Sequence, residues 1–140
     1  MPIPRDFSKQ FREATEAENR AAMLPFLGQK IVSITLDKVE ERIKIDFGPL
    51  GILFIWDAGD DCCEQRYIQT DCDLAAFAGA SFVGMKVNDM GGGPEPNTMM
   101  DEHEMQALNI HTNMGIVDFV THNIHNGNYG GFFIRAWKAP

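Results

Sequence analysis

The stretch that decides the fold runs from Gly51 to Ile68 and reads Gly-Ile-Leu-Phe-Ile-Trp-Asp-Ala-Gly-Asp-Asp-Cys-Cys-Glu-Gln-Arg-Tyr-Ile. Two strand-like runs, 51–56 and 63–69, meet at a turn, and residues 57–64 carry four carboxylates and two adjacent thiols. Apolar runs of this length, separated by Gly and Asp, are typical of β-strands connected by a turn. The stretch therefore predicts a strand, an acidic turn and a second strand.

The same pattern of short β-rich runs separated by Gly, Asp and Asn continues through most of the chain after Gly28. It predicts strands at residues 30–36, 42–47, 51–56, 63–69, 81–88, 103–111, 115–121 and 131–137. Residues 71–78 begin with an Asp and predict a single helical turn. Residues 90–100 are rich in Gly and Pro and predict a surface loop.

The N-terminal segment follows a helical period instead. Apolar side chains recur at helical spacing from Asp6 to Leu24, with charged and amide side chains between them. Asp6 is a suitable N-cap, and Pro25 disfavours helical geometry at the residue before it. We expect an amphipathic helix in residues 1–25 and a β-rich part in residues 26–140, within one compact domain. The fold class is α+β: an N-terminal helix followed by a mainly antiparallel sheet or partly closed barrel of about eight strands.

Composition limits the class of protein. The chain of 140 residues can bury a hydrophobic core, and its 44% hydrophobic and 23% charged residues are ordinary for a folded domain. A net charge of −8, with no run of Lys and Arg, argues against a nucleic-acid partner. No stretch approaches the length of a membrane span and no secretion signal is recognisable, so we expect a cytoplasmic protein with no membrane partner. Two of the three cysteines are adjacent, which favours reduced thiols over disulfides.

An internal repeat relates residues 45–68 to residues 110–134. Both segments run strand, glycine turn, strand, polar turn and strand, with Gly51 aligned to Gly115. In this alignment the acidic turn is equivalent to the His- and Asn-rich turn around His125. We therefore expect the two polar turns to meet at one end of the sheet, although two copies of a common meander can also arise by chance.

Two histidines in the second polar turn, His122 and His125, are three residues apart. If the two polar turns meet, these imidazoles could combine with Cys62, Cys63 or Asp61 in a four-ligand site for a divalent metal such as zinc. The spacing matches neither Cys-x-x-Cys nor a helical His-Glu-x-x-His. The alternative is that the histidines and asparagines only bond the backbone of an irregular turn.

The carboxylates of the first polar turn could coordinate Ca²⁺ or Mg²⁺, but the spacing of an EF-hand is absent. Asp and Gly also close turns without binding any ligand. Nucleophilic catalysis by Cys63 is disfavoured, because its acidic neighbours oppose formation of a thiolate.

These motifs resemble a family of small domains of unknown function found in bacteria, phages and environmental sequences. The shared segments are Phe26-Leu27-Gly28-x-x-Ile31, Asp57-Ala58-Gly59-Asp60-Asp61-Cys62-Cys63-Glu64-x-Arg66-Tyr67-Ile68, Asp73-Leu74, Phe77-x-Gly79-Ala80 and Thr121-His122-Asn123-x-His125-Asn126-Gly127-x-Tyr129-Gly130-Gly131-Phe132. The resemblance covers about residues 26–137 and excludes the N-terminal helix. Many relatives have Tyr where this chain has Asn128. The resemblance implies no established activity, so it selects residues and does not name a function.

Three functions remain open at this point, and catalysis is disfavoured because no complete catalytic constellation is present. The favoured function is that of a non-enzymatic accessory protein of phage origin that binds an unknown small molecule or protein and needs no cofactor. Its candidate ligand-binding residues are Asp61, Cys63, Glu64, Asn126 and Tyr129. The first alternative is a metal-binding protein or metal-dependent hydrolase that uses His122 and His125 with Cys62, Cys63 or Asp61. The second alternative is a structural module that forms a homodimer through the N-terminal helix.

Overall fold

The computed structural model describes residues 15–59, 64–92, 102–125 and 131–139. Its strands are β1 (Ser33–Asp37), β2 (Arg42–Asp46), β3 (Ile52–Asp57), β4 (Gln65–Gln69), β5 (Phe82–Gly92), β6 (Glu102–Thr112), β7 (Gly115–His125) and β8 (Ile134–Lys138). All eight predicted strands are thus present. The predicted helical turn in residues 71–78 is the 3₁₀ turn Leu74–Phe77, and a further 3₁₀ turn, Gly48–Leu50, joins β2 to β3. Of the predicted loop 90–100, residues 90–92 belong to β5 and the rest lie outside the described residues.

The described part of the N-terminal helix, α1, covers residues 15–23 and leads into the 3₁₀ turn Leu24–Phe26. Pro25 lies within that turn, so the α-helix ends shortly before the proline, as predicted. The proposed N-cap, Asp6, lies outside the described residues. No helix in the described part of the chain is long and apolar enough to cross a membrane.

The strands form two antiparallel four-stranded sheets, β1-β2-β3-β8 and β4-β7-β6-β5, rather than one sheet or a partly closed barrel. Each half of the chain supplies a meander of three strands, and its fourth strand crosses to the other sheet. Thus β4 follows β3 but pairs with β7, and β8 follows β7 but pairs with β3. The halves β1–β4 and β5–β8 therefore have the same topology, as the internal repeat predicts. We call the end where β3 leads to β4 and β7 leads to β8 the crossover end.

One hydrophobic core fills the space between the two sheets. Side chains from both sheets are fully buried in it: Ile43, Ile45, Leu53, Ile55, Ile68, Leu108, Ile110, Val117 and Phe119. Away from the crossover end, Phe26 stacks on Phe47 at a centroid distance of 4.3 Å, and Phe82 meets Phe47 edge-on at 5.6 Å. The alternation of apolar and polar residues along each strand produces this single apolar interior.

Each strand that crosses between the sheets has its free edge covered by a polar side chain. The buried amide of Asn19 on α1 donates to the Ile134 carbonyl and accepts from the Ala136 N–H, both at 2.8 Å, and so pairs with the edge of β8. The carboxylate of Glu41 accepts from the Ile68 N–H of β4 at 2.8 Å. Such contacts satisfy backbone groups that would otherwise be open to another strand. The described part of α1 is therefore packed on its own domain.

Candidate functional site

The β6–β7 hairpin changes from apolar to polar along its inner face, which faces the other sheet. Its tight turn pairs Thr112 with Gly115, and this register places Glu102 opposite His125 at the far end. The inner-face pairs, from the turn outward, are Ile110–Val117, Leu108–Phe119, Gln106–Thr121, Glu104–Asn123 and Glu102–His125. Although the last three pairs are polar, their β7 members Thr121, Asn123 and His125 are all buried. Buried polar side chains require partners, so this end of the hairpin is the first candidate for a site.

Arg66 on β4 organises the crossover end beside these polar pairs. Its Nε and Nη2 atoms each donate to Glu64 at 2.8 Å, and its Nη1 donates to Asp57 at 2.7 Å and to the Gly131 carbonyl at 3.1 Å. The three charged side chains are at most 10% exposed. Burial alone would lower the pKa of the guanidinium, but the hydrogen bonds that it donates to Glu64 and Asp57 outweigh burial and raise that pKa. We call Arg66, Asp57, Glu64 and Gly131 the Arg66 network.

The Arg66 network joins the flanks of the two polar turns. The Gly131 N–H donates to Glu104 at 2.7 Å, while Asp57 accepts from the Phe133 N–H at 3.0 Å. Gly59 also belongs to this contact, because a Cβ atom there would lie 2.3 Å from the Arg66 guanidinium. The described residues on either side of the two turns therefore come together, as the repeat alignment predicts.

Three potential metal ligands lie together at the end of the β6–β7 hairpin: Glu102, Glu104 and His125. One ligand atom from each side chain lies within 4.8 Å of the other two. His125 is 2% exposed, and its Nε2 lies 3.4 Å from a Glu104 oxygen. That distance is longer than an ordinary N–H···O hydrogen bond. We call these three residues the acidic–histidine cluster.

The structure does not bring the two predicted histidine ligands together. His122 and His125 are three positions apart on one strand, and an odd spacing points their side chains to opposite faces of the sheet. His122 lies on the outer face, where its ring stacks on Tyr67 at 4.3 Å and its Nδ1 is 2.8 Å from Nε2 of His103. Sharing of one metal ion by the two histidines is incompatible with this geometry.

The two outer-face histidines, His103 and His122, lie against each other. His103 is half-buried, and His122 is buried between it and Tyr67. Burial, together with the charges of His103 and Lys38, lowers the pKa of His122 below its ordinary value. This arrangement favours a neutral His122 that shares a hydrogen bond with its neighbour.

The other predicted site residues fall into two groups. Asp61, Cys62, Cys63, Asn126 and Tyr129 lie outside the described residues. Glu64 is described, and both of its oxygens accept hydrogen bonds from Arg66. Its predicted role in ligand binding stays a prediction, and the visible role of its carboxylate is to hold Arg66.

Sequence reasoning missed Glu102 and Glu104 as partners of His125. The signal was present in the tight turn between Thr112 and Gly115, because a hairpin register counted outward from that turn pairs Glu102 with His125. The strand prediction stopped at Thr121 and so left His125 in a loop. Extending the strand by four residues would have separated the two histidines and joined His125 to the glutamates.

The fold and the site together define an α+β domain of two antiparallel sheets with exchanged fourth strands and a polar crossover end. The chain belongs to the family described as Domain of unknown function (DUF7448), which matches residues 25–134. The resemblance to small domains of unknown function is thereby confirmed. Neither a curated protein nor a solved structure matches the chain. Membership of this family adds no activity, so a function has to be argued from the geometry.

Proposed function

We propose that the protein binds a divalent metal ion through the acidic–histidine cluster, Glu102, Glu104 and His125. The observation that carries this proposal is the approach of three ligand atoms to within 4.8 Å of one another beside a buried imidazole. Of the metal ligands predicted from the sequence, the proposed site retains only His125. Its other two ligands are glutamates on the paired strand β6.

The chemistry of the donor set favours Zn²⁺ or Mn²⁺ over Ca²⁺. One imidazole nitrogen and two carboxylates suit a borderline ion, whereas Ca²⁺ takes oxygen ligands only. A tetrahedral zinc with ligands at about 2.1 Å needs ligand atoms roughly 3.4 Å apart, so a shift of about an ångström would close the present spacing. The exposed side chain of Glu102 has the freedom to make that shift.

The surrounding charges also favour a cation. Among the described residues, the crossover end holds four carboxylates, those of Asp57, Glu64, Glu102 and Glu104, and Arg66 pairs with the first two. Their excess negative charge attracts a divalent ion. The Gly131 N–H fixes one oxygen of Glu104 at 2.7 Å, which orients the carboxylate before any ion arrives.

The test is calorimetric titration of the untagged, chelator-treated full chain with Zn²⁺, Mn²⁺ and Ca²⁺. We expect one Zn²⁺ or Mn²⁺ per chain and weak or absent binding of Ca²⁺. His125→Ala and Glu104→Gln should each weaken binding by at least about tenfold. His111→Ala is the matched control, because His111 lies on the outer face of β6, and it should bind like the unmodified protein. Absence of binding, or an equal loss in the His111 variant, would refute the metal site.

A second candidate function is binding of a small polar molecule without a metal. The observation that favours it is a cavity of about 160 Å³ lined in part by Gln106 and Phe133. The buried Oε1 atom of Gln106 finds no hydrogen-bond partner among the described residues. A ligand with N–H or O–H groups would satisfy such acceptors.

Acetamide and urea are suitable probes for this cavity in an NMR titration. Selective shifts of the Gln106 and Phe133 amide signals, lost in Gln106→Met, would support the second function. If neither probe moves these signals, the cavity holds only water.

The remaining expectations from the sequence stay predictions. They are the cytoplasmic location, the phage origin, the lack of nucleic-acid and membrane partners, and a homodimer through the N-terminal helix. A hydrolytic role is also left as a prediction, because metal binding by itself requires no reaction.

A further inference from the structure

The outer face of the sheet β1-β2-β3-β8 carries a groove that the proposed metal site does not use. Its volume is about 430 Å³, and it is lined by Glu40, Arg42, Trp56 and Trp137. Both tryptophans of the chain line it. We call these four residues the outer groove.

The aromatic side chains of the outer groove are held in place by the strands. Trp56 lies between Arg42 on β2 and Arg135 on β8 in the register of the sheet. Trp137 is 48% exposed and stacks on Phe54 at a centroid distance of 6.0 Å. The groove therefore presents a fixed indole surface to solvent, which favours recognition of a flat apolar face.

The charged side chains of the groove differ in how firmly they are held. The Arg42 guanidinium lies 4.2 Å from the centre of the Phe54 ring, and its Nε is 3.7 Å from Asp37. Glu40, in the turn between β1 and β2, supplies a carboxylate to the rim. The groove thus combines one cation and one anion with two indole rings.

The second repeat shows that the fold does not require these aromatic residues. With Gly51 aligned to Gly115, Trp56 is equivalent to Val120 on the outer face of the other sheet. The neighbours of Val120 across the strands are Ala107 and Gln69, where Trp56 has two arginines. The same backbone position is occupied by a small side chain in the other repeat. The outer groove is therefore an addition to one repeat, and stability alone does not explain it.

We propose that the outer groove binds a neutral carbohydrate. A sugar ring has a flat face of C–H groups that fits an indole, and a rim of hydroxyls that both donate to Glu40 and accept from Arg42. Arg42 disfavours cationic ligands, while Glu40 and the net charge of −8 disfavour nucleotides and other anions. A neutral ring with hydroxyl groups meets all of these conditions.

The test uses the two indole N–H signals in a ¹⁵N-correlation spectrum of the full chain, assigned with Trp56→Phe and Trp137→Phe. The probes are neutral hexasaccharides of glucose, xylose and N-acetylglucosamine. We expect both indole signals to shift along one saturation curve with at least one probe. Trp137→Ala should weaken this binding by at least about tenfold while keeping a folded spectrum, since the side chain is half-exposed.

Two further variants separate a specific effect from a general one. Glu40→Ala, in an exposed turn, should also weaken binding. Met114→Ala replaces an exposed apolar side chain in the β6–β7 turn, far from the groove in the fold, and should leave binding unchanged.

Three results would overturn the proposal. The first is that no hexasaccharide moves either indole signal up to about 10 mM, where even weak binding is visible. The second is that Trp137→Ala binds as tightly as the unmodified protein. The third is that a proline-rich peptide moves both signals and no hexasaccharide does, which would assign the groove to a peptide.

Discussion

The two hairpins β2–β3 and β6–β7 occupy equivalent places in the two repeats but differ in length and in what they bury. Strands β2 and β3 have 5 and 6 residues, and strands β6 and β7 have 11 each. In the repeat alignment Asp57, the last residue of β3, corresponds to Thr121, and β7 runs four residues further. The added length carries Asn123 and His125, together with the glutamates opposite them.

The difference between the hairpins separates the residues that form the hydrophobic core from the polar residues that are added to it. The shorter hairpin buries Ile43, Ile45, Leu53 and Ile55, which form the centre of one wall of the core. The extension of the longer hairpin buries polar groups, which cost free energy unless they find partners. The extension of the β6–β7 hairpin has this cost and lies beside an ordered network of charges. It is therefore the best place to look for a binding function.

The largest expected effect comes from the network that supports the extension. Replacing Arg66 with Met leaves the buried carboxylates of Asp57 and Glu64 without their cation, and should lower the free energy of unfolding by about 3 to 5 kcal/mol. Urea denaturation followed by circular dichroism measures the change. Arg135→Met is the matched control: its partner Glu18 is largely exposed, so about 0 to 1 kcal/mol is expected. Equal losses in the two variants would show that the Arg66 network is not a buried structural element.

A smaller loss should follow from crowding the same network. A methyl group in Gly59→Ala would overlap the Arg66 guanidinium, so a loss of about 1 to 3 kcal/mol is expected in the same denaturation experiment. Gly92→Ala is the control, because the nearest atom to its added Cβ would be 3.6 Å away. If Gly59→Ala leaves the free energy of unfolding unchanged, Arg66 has room to move.

Replacing two threonines with valine tests whether the Thr121 hydroxyl on the polar inner face stabilises the fold. Thr112 donates to the Gly115 carbonyl at 2.7 Å, so Thr112→Val should cost about 1 kcal/mol. Thr121→Val removes a buried hydroxyl with no described partner and should be neutral or slightly stabilising. Calorimetric unfolding temperatures compare the two variants. A loss in Thr121→Val as large as that in Thr112→Val would indicate that the hydroxyl is already satisfied.

The smallest effect concerns the outer face of the same hairpin. Because the pKa of His122 is lowered in the folded protein, the unfolded chain takes up this proton at a higher pH. The contribution of His122 to the free energy of unfolding is therefore fully present above its ordinary pKa of 6.5. It is lost as the pH falls through the lower pKa of the folded protein. His122→Phe, which keeps a ring against Tyr67, should make stability less dependent on pH across this window. An unchanged slope in denaturation at a series of pH values would contradict this origin.

Local patterns in the sequence were sufficient to predict the strands and the repeat. Short β-rich runs separated by Gly, Asp and Asn located all eight strands, and the match around Gly51 and Gly115 anticipated two equivalent halves. Division into two sheets was not predictable from these patterns, because each meander could equally have continued in one sheet. The exchange of β4 and β8 depends on contacts between residues far apart in the chain.

The candidate site was less accessible to sequence reasoning for a specific physical reason. Side chains on a strand alternate between faces, so a spacing of three, as in His122 and His125, separates residues that a helix or a loop could bring together. The polar composition of residues 121–125 resembles that of a turn, yet these residues continue β7. A polar strand is recognisable only from its partner, and that partner is β6.

The most direct test of the central claim is an anomalous-scattering crystal structure of the full chain soaked with Zn²⁺. If a metal ion binds at the extension of the β6–β7 hairpin, the anomalous map should show one strong peak within coordination distance of His125, Glu102 and Glu104. A peak only at His103 and His122 on the outer face, or no peak at the acidic–histidine cluster, would contradict it.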